Sequence, residues 1–249
     1  MLRQGRCGSH GHRGWKSSPG TAGLETGRAG FRRALRRWNP QLTRVMKDLI
    51  LLVADKNIQF ALNGGLNRPE SLGIRRIALD FRQHPGRDGG TRSNGAQVLA
   101  LEKARFSHAL LVLDHEGSGA GALEALELEA QLDEQLNSTW GDRAKAIVIA
   151  PEVDIWMWGS DNKLAQILKW PRQESIRDWL KNDGFEFAEN GKPQRPKEAL
   201  EAVFRICKRP RSSSAYQQIA AGISLTRCED PAFQRLRSSL RNWFPAHAP

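Results

Sequence analysis

Cysteine and histidine are scarce in this sequence of 249 residues, which contains three cysteines and six scattered histidines. The cysteines, Cys7, Cys207 and Cys228, lie far apart, and none belongs to a Cys-x-x-Cys pair. Disulfide-rich domains and structural zinc sites usually show paired or closely spaced cysteines. Neither kind of framework is therefore expected.

Long apolar runs are also missing. No stretch approaches the roughly 20 consecutive apolar residues that a membrane span needs. The basic amino-terminal segment is not followed by the apolar core and cleavage site of a secretory signal. We therefore expect a cytoplasmic protein with no membrane partner.

The glycine motifs of common nucleotide-binding enzymes are absent. No Gly-x-Gly-x-x-Gly follows the first predicted strand, and the sequence contains no Walker phosphate loop. A dinucleotide-dependent enzyme of the Rossmann type is therefore disfavoured. No internal repeat is present either.

Acidic residues are almost absent from the first 45 residues, which hold ten basic residues and one acid. This segment carries +9 of the total net charge of +11, so the other 204 residues are nearly balanced. Its Gly, Arg and Ser content predicts no packed core. Residues 1–45 are interpreted either as a disordered basic arm that binds nucleic acid, or as sequence upstream of a true start at Met46.

Four apolar segments predict buried strands, and segments with helical periodicity separate them. The second strand has a mixed pattern that suggests a position near the sheet edge. This alternation predicts an α/β fold, a mainly parallel sheet flanked by helices. The predicted strands span residues 48–54, 74–81, 110–113 and 144–150. The predicted helices between them span 58–66, 96–106 and 122–136.

Helical segments dominate the rest of the chain, so we expect an α/β core at 46–160 and a helical C-terminal region at 161–249 packed on it. The polar, glycine-rich segment 83–94 is predicted to be a loop. Such a loop could close over a phosphate or be a mobile connection, and the sequence does not decide between these.

Acids follow two of the predicted strands directly. Asp114 and Glu116 end the third strand, and Glu152 and Asp154 follow the fourth. In open α/β sheets, ligands bind outside the carboxyl ends of the strands. Residues two apart on an extended chain point the same way, so Asp114 and Glu116 could meet one Mg²⁺ ion. The alternative is that these acids only cap the next helix.

Four short segments together resemble a Toprim domain, in particular the small stand-alone Toprim-like proteins of prokaryotic antiphage loci, including methylation-associated defence systems. The likeness covers about residues 46–244. The segments are Val53-Ala54-Asp55-Lys56, Asp114-His115-Glu116, the Pro-Glu-x-Asp-x-Trp stretch from Pro151, and Lys197-Glu198-Ala199-Leu200 followed by 216–240.

The resemblance implies a Toprim-like (Rossmann-like) fold and Mg²⁺-dependent, or Mn²⁺-dependent, phosphodiester chemistry. On that template Asp114 and Glu116 are the metal ligands, and nucleic acid and other defence-system subunits are the expected partners. Acids with a supporting catalytic role would be Asp55, Glu152 and Asp154. Phosphate contacts would come from Lys56, Arg87 and Arg92, which are expected in loops. His115 is expected to be structural, because it points away from the two acids on a strand.

The family places a glutamate where this chain has Ala54, and Asp55 follows one position late. A shift of one residue turns a strand side chain to the opposite face, unless the strand has already ended. Two functions therefore remain open. The first is a metal-dependent nuclease or phosphotransferase that serves phage defence, and the second is a catalytically degenerate subunit that binds a partner protein or a nucleotide.

Overall fold

A computed structural model describes residues 46–246 of the chain, so both interpretations of residues 1–45 concern a segment outside the described part. The described residues form four β-strands and nine α-helices, with two short 3₁₀ segments at Gly141–Arg143 and Val153–Trp158. The strands are β1 (Lys47–Val53), β2 (Leu79–Gln83), β3 (Phe106–Asp114) and β4 (Ala144–Ile149). The helices are α1 (Lys56–Leu66), α2 (Pro69–Leu72), α3 (Arg87–Ala100), α4 (Ala125–Trp140), α5 (Asp161–Leu168), α6 (Ile176–Asn182), α7 (Pro196–Ile206), α8 (Ser213–Gly222) and α9 (Pro231–Trp243).

The four strands form one parallel sheet in the order β2-β1-β3-β4. The predicted α/β class, with a parallel sheet, flanking helices and a helical C-terminal region, is confirmed. The prediction that the second strand lies at an edge is also confirmed. The chain moves from β1 to β2 on one side and then crosses to β3 on the other side of β1. The carboxyl ends of β1 and β3 therefore border the switch point where ligands bind in such sheets.

The two central strands are buried on both faces, as uninterrupted aliphatic runs predict. Residues 49–53 of β1 and 109–113 of β3 are at most 1% exposed. The crossovers through α1 and α3 run in opposite directions, so right-handed connections place these two helices on opposite faces of the sheet. Gly95 lets α3 approach closely, because a Cβ there would lie 2.6 Å from the Leu111 Cδ1 atom.

The predicted loop at 83–94 is wrong, since most of this segment belongs to α3, and the helix predicted at 96–106 ends at Ala100. Intrinsic propensity disfavours a helix in this glycine-rich stretch, but packing on the sheet overrides it. Thr91 is fully buried and Leu99 is nearly so. A kink at Asn94, with φ of −143°, divides the helix. The second strand is also shifted, to Leu79–Gln83, and Ile74 instead forms an isolated bridge with Pro245.

Helices of the C-terminal region pack against the sheet and its first crossover. Helix α8 contacts α1, and α9 contacts β4. Within the described residues, no helix is long and apolar enough to cross a membrane.

The contact between α1 and α8 depends on Gly64. A Cβ at this position would lie 2.5 Å from the carbonyl oxygen of Gln217 and 3.0 Å from the Cβ of Ala220. Because a backbone atom cannot move aside cheaply, we expect Gly64→Ala to lower the free energy of unfolding by about 1–3 kcal/mol in urea denaturation. Gly121→Ala is the control, since no heavy atom lies within 4 Å of a Cβ there. Equal stability of the two variants would contradict this packing.

Candidate functional site

Asp114 is the last residue of β3 and lies at the switch point of the sheet. The residue is 8% exposed, and its Oδ1 atom accepts a hydrogen bond of 2.9 Å from the Val153 amide. No donor to its Oδ2 atom is found among residues 46–246. Its own amide donates to the carboxylate of Asp88 at 2.8 Å. The carboxylate thus has one acceptor atom, Oδ2, that reaches solvent and is open to a ligand.

Asp88 is a site residue that the sequence interpretation did not identify. It lies in the first turn of α3, and the bond from the Asp114 amide brings it to the end of β3. Burial raises the pKa of the Asp88 carboxyl, the hydrogen bond from Asp114 opposes this, and the charge of Asp55 raises it further. The sequence did offer one sign of Asp88, because this acid follows the second strand and therefore lies at the same edge of the sheet.

Asp55 caps the amino terminus of α1, because the chain leaves the sheet directly after β1. Its Oδ1 atom accepts a hydrogen bond of 2.9 Å from the Ile58 amide. Ala54, the residue before Asp55, is 1% exposed. The carboxylate available at the end of β1 is therefore that of Asp55, held by a helix cap.

Electrostatic repulsion links these acids. Burial raises the pKa of Asp114 well above its ordinary value, and the negative charges of Asp88, Asp55, Glu152 and Asp154 raise it further, in that order. Among the described residues, Asp55, Asp88 and Asp114 make no ion pair with a basic side chain. These three acids therefore have no ion-pair partner among the described residues, and Arg87 acts on Asp88 only through its charge, which lowers the Asp88 pKa.

The acids that follow β4 are neutralised, in contrast. Glu152 is 7% exposed and accepts a hydrogen bond of 3.0 Å from Lys197 Nζ. Burial raises the pKa of Glu152, and the bond from Lys197 opposes that shift. The same bond raises the pKa of Lys197.

Asp154 is 1% exposed and is held from two sides by the segment around the start of α8. One guanidinium nitrogen of Arg211 lies 3.1 Å and 3.2 Å from its two carboxylate oxygens. The hydroxyl of Tyr216 donates to Oδ1 at 2.6 Å. Burial, with the negative charge of Asp154, raises the pKa of Tyr216 far above its ordinary range. Sequence spacing gave no sign of this pairing, because Arg211 and Tyr216 lie about 60 residues from Asp154 along the chain.

Glu116 is exposed, and its amide donates to the Pro151 carbonyl. Strand β3 ends at Asp114 and the chain then turns, so the alternation that placed both acids on one face does not extend to Glu116. The ring of His115 bonds through Nε2 to the Leu123 carbonyl at 2.7 Å. Within residues 46–246, no group of three or more His, Cys, Asp or Glu side chains forms a ready metal cage.

A cleft of about 650 Å³, which we call the basic cleft, opens at the carboxyl ends of β1 and β2. Lys56 and Arg87 line this cleft. Both begin helices, so the expectation that they lie in loops is wrong, and their contact with phosphate stays a prediction. Arg92 lies elsewhere on α3, where it donates to the Ser118 carbonyl at 3.2 Å. The full lining comprises Ala54, Asp55, Lys56, Asn57, Gln83, His84, Pro85, Arg87 and Arg211.

Comparisons with known proteins find no matching family. No curated protein matches the sequence. Among solved structures, the C-terminal region of the Burkholderia pseudomallei OLD protein is similar, with a TM-score of 0.42 and 15% sequence identity. The match covers 78% of this chain and 97% of that one.

We expect Asp114→Asn to raise stability at neutral pH, because the amide keeps the acceptor for Val153 and removes the repelled charge. The raised pKa means that the folded protein binds the Asp114 proton more tightly than the unfolded chain does. Wild-type stability should therefore fall, relative to the variant, by up to about 1.4 kcal/mol per pH unit above about pH 4.

Urea denaturation of both proteins between about pH 4 and about pH 8 measures this difference. Glu134→Gln, which removes an exposed acid on α4, is the control and should show no such trend. A stability difference that does not change with pH, or a less stable variant at neutral pH, would contradict the repulsion at Asp114.

Proposed function

We propose that this protein is a Toprim-like, Mg²⁺-dependent nuclease or phosphotransferase of a prokaryotic antiphage defence system. The chemistry would take place at the carboxyl edge of the sheet, between the ends of β1 and β3. The sequence resemblance supports the defence role, and the arrangement of charges at the edge supports the chemistry.

One observation carries the proposal. Asp114 is buried at the switch point, has an acceptor atom with no donor among the described residues, and is repelled by other carboxylates rather than paired. A buried carboxylate without a positive partner is costly. A divalent cation would relieve both the repulsion and the lack of a partner.

The donor set at the edge fits magnesium. Mg²⁺ prefers oxygen ligands, keeps several waters, and is often held by one or two carboxylates and a substrate phosphate rather than by a complete protein cage. Asp114 and the neighbouring Asp88 would hold it, and the exposed Glu116 would contribute from the turn. Mn²⁺ has the same preference for oxygen ligands. When bound, the metal would polarise the scissile phosphate and stabilise the developing negative charge.

The other acids would have two roles, proton transfer from the attacking water and the positioning of neighbouring side chains. Asp55, whose Oδ2 atom has no hydrogen-bond donor within residues 46–246, would accept a proton from the attacking water. Glu152 and Asp154 are held by Lys197, Arg211 and Tyr216, so we assign them to positioning these groups rather than to direct contact with the reacting atoms. Lys56 and Arg87 would hold phosphate in the basic cleft, and Arg92 would take an outlying phosphate.

A second candidate is a catalytically degenerate subunit that binds another defence-system protein or a nucleotide. The buried Ala54 favours it, because no acid occupies the position where the Toprim family has glutamate. The absence of a three-ligand cage within residues 46–246 also favours it.

Calorimetric titration with Mg²⁺ and Mn²⁺ tests the metal site. We expect wild-type protein to bind, and Asp114→Asn and Asp88→Asn to weaken binding at least about tenfold, which corresponds to about 1.4 kcal/mol. Glu134→Gln should bind as wild type does, since its exposed carboxylate lies on α4. Wild-type protein that binds neither metal, or binding that survives both substitutions, would contradict the proposal.

Phage protection separates the two candidates. In cells that carry the whole defence locus, the nuclease predicts loss of protection with Asp114→Asn. Protection retained by this variant, which we expect to be folded and stable, would favour the degenerate subunit instead.

A further inference from the structure

We infer that the basic cleft is a phosphate-binding site that works without metal, and that Arg211 of the C-terminal region is one of its ligands. The phosphate is that of a polynucleotide strand or of a free nucleotide. This inference deepens the proposed function by naming the chemical group that the cleft takes. This inference rests on the proposed function only for the reaction that the bound phosphate would undergo.

The charge of the cleft favours an anion. Lys56 and Arg87 are exposed, and neither makes an ion pair with an acid among the described residues. The acid on the cleft wall, Asp55, already accepts a hydrogen bond from the Ile58 amide. Two unpaired cations facing one open volume attract a phosphate, which carries at least one negative charge at neutral pH.

Arg211 is held in place for such a ligand. One of its terminal nitrogens contacts both oxygens of Asp154, and the other lies 3.6 Å from a carboxylate oxygen of Glu201. Its guanidinium also lies over the Tyr216 ring, with a carbon-to-centroid distance of 5.3 Å. A guanidinium fixed in this way loses less side-chain entropy when it binds an anion.

Backbone donors add to the site. Helix α1 begins at Lys56, spans 11 residues and has no acid in its first turn. The amides of Lys56 and Asn57 donate no hydrogen bond to any described residue, and both residues line the cleft. The two amides that the Asp55 cap leaves free can donate to phosphate oxygens, whereas the capping carboxylate already faces the positive end of the helix dipole.

The C-terminal region also fixes the position of the cleft wall. Ser213, two residues beyond Arg211, donates a hydrogen bond of 3.0 Å to the side chain of Asn57. The segment that carries Arg211 is thereby joined to the start of α1. A phosphate in the cleft would touch groups from both the sheet and the C-terminal region, and would lie beside Asp55.

Fluorescence anisotropy with a labelled single-stranded oligonucleotide, in EDTA, tests the site on the full chain. We expect Lys56→Ala, Arg87→Ala and Arg211→Lys each to weaken binding roughly 5- to 30-fold, since each removes a charge-assisted hydrogen bond or its geometry. Lys103→Ala and Arg76→Ala are matched controls, because these exposed cations precede β3 and β2 and so lie at the opposite edge of the sheet. They should change binding less than about twofold.

Absence of oligonucleotide binding in EDTA, or equal losses in the cleft variants and the controls, would overturn the inference. Competition with a mononucleotide and with inorganic phosphate identifies the source of the phosphate. Displacement by either one indicates a free nucleotide, and displacement by unlabelled oligonucleotide alone indicates a polynucleotide strand.

Asp114→Asn separates this inference from the proposed function. We expect this variant to bind the oligonucleotide in EDTA at least as tightly as wild type, because it removes a nearby negative charge. A protein that binds the strand through the cleft residues, as judged from the cleft variants, but never binds Mg²⁺ would refute the metal chemistry and leave the phosphate site standing. A protein that binds Mg²⁺ but not the strand would refute the phosphate site and leave the metal chemistry standing.

Discussion

Uncompensated negative charge at the carboxyl edge of a parallel sheet is the constraint on which this structure depends. The fold buries Asp114 at the end of its central strand β3, and the crossover helices bring Asp55 and Asp88 close enough to repel it. Folding alone would favour an apolar or amide side chain at this position. Under the proposed function, a chain that keeps a repelled carboxylate there would give up stability in exchange for affinity toward a cation.

The C-terminal helices balance the remaining acids at that edge. Lys197 pairs with Glu152, and Arg211 pairs with Asp154 beside the hydroxyl of Tyr216. These contacts attach the helical region to the segment after β4, and they place one guanidinium on the wall of the basic cleft. Arg211 thus neutralises a buried charge and also lines the cleft in which we propose that phosphate binds.

The local sequence pattern was sufficient to predict the buried strands of the sheet. The uninterrupted aliphatic runs of β1 and β3 predicted buried parallel strands, and hence the place of Asp114 at a ligand-binding edge. The local pattern did not predict Asp88 as a site residue. Asp88 lies on α3, which is stabilised by packing on the sheet although its sequence is rich in glycine. Nor could spacing reveal Arg211 and Tyr216, whose contacts with Asp154 join segments that are distant along the chain.

The most direct test is the titration of the Asp114 carboxyl group itself. Carbon-13 NMR of the side-chain carboxyl signals, assigned with Asp114→Asn, would follow its protonation with and without Mg²⁺. The account predicts a pKa well above the ordinary value for aspartate in the metal-free protein, and a clear fall when Mg²⁺ is added. An ordinary pKa that Mg²⁺ leaves unchanged would contradict it.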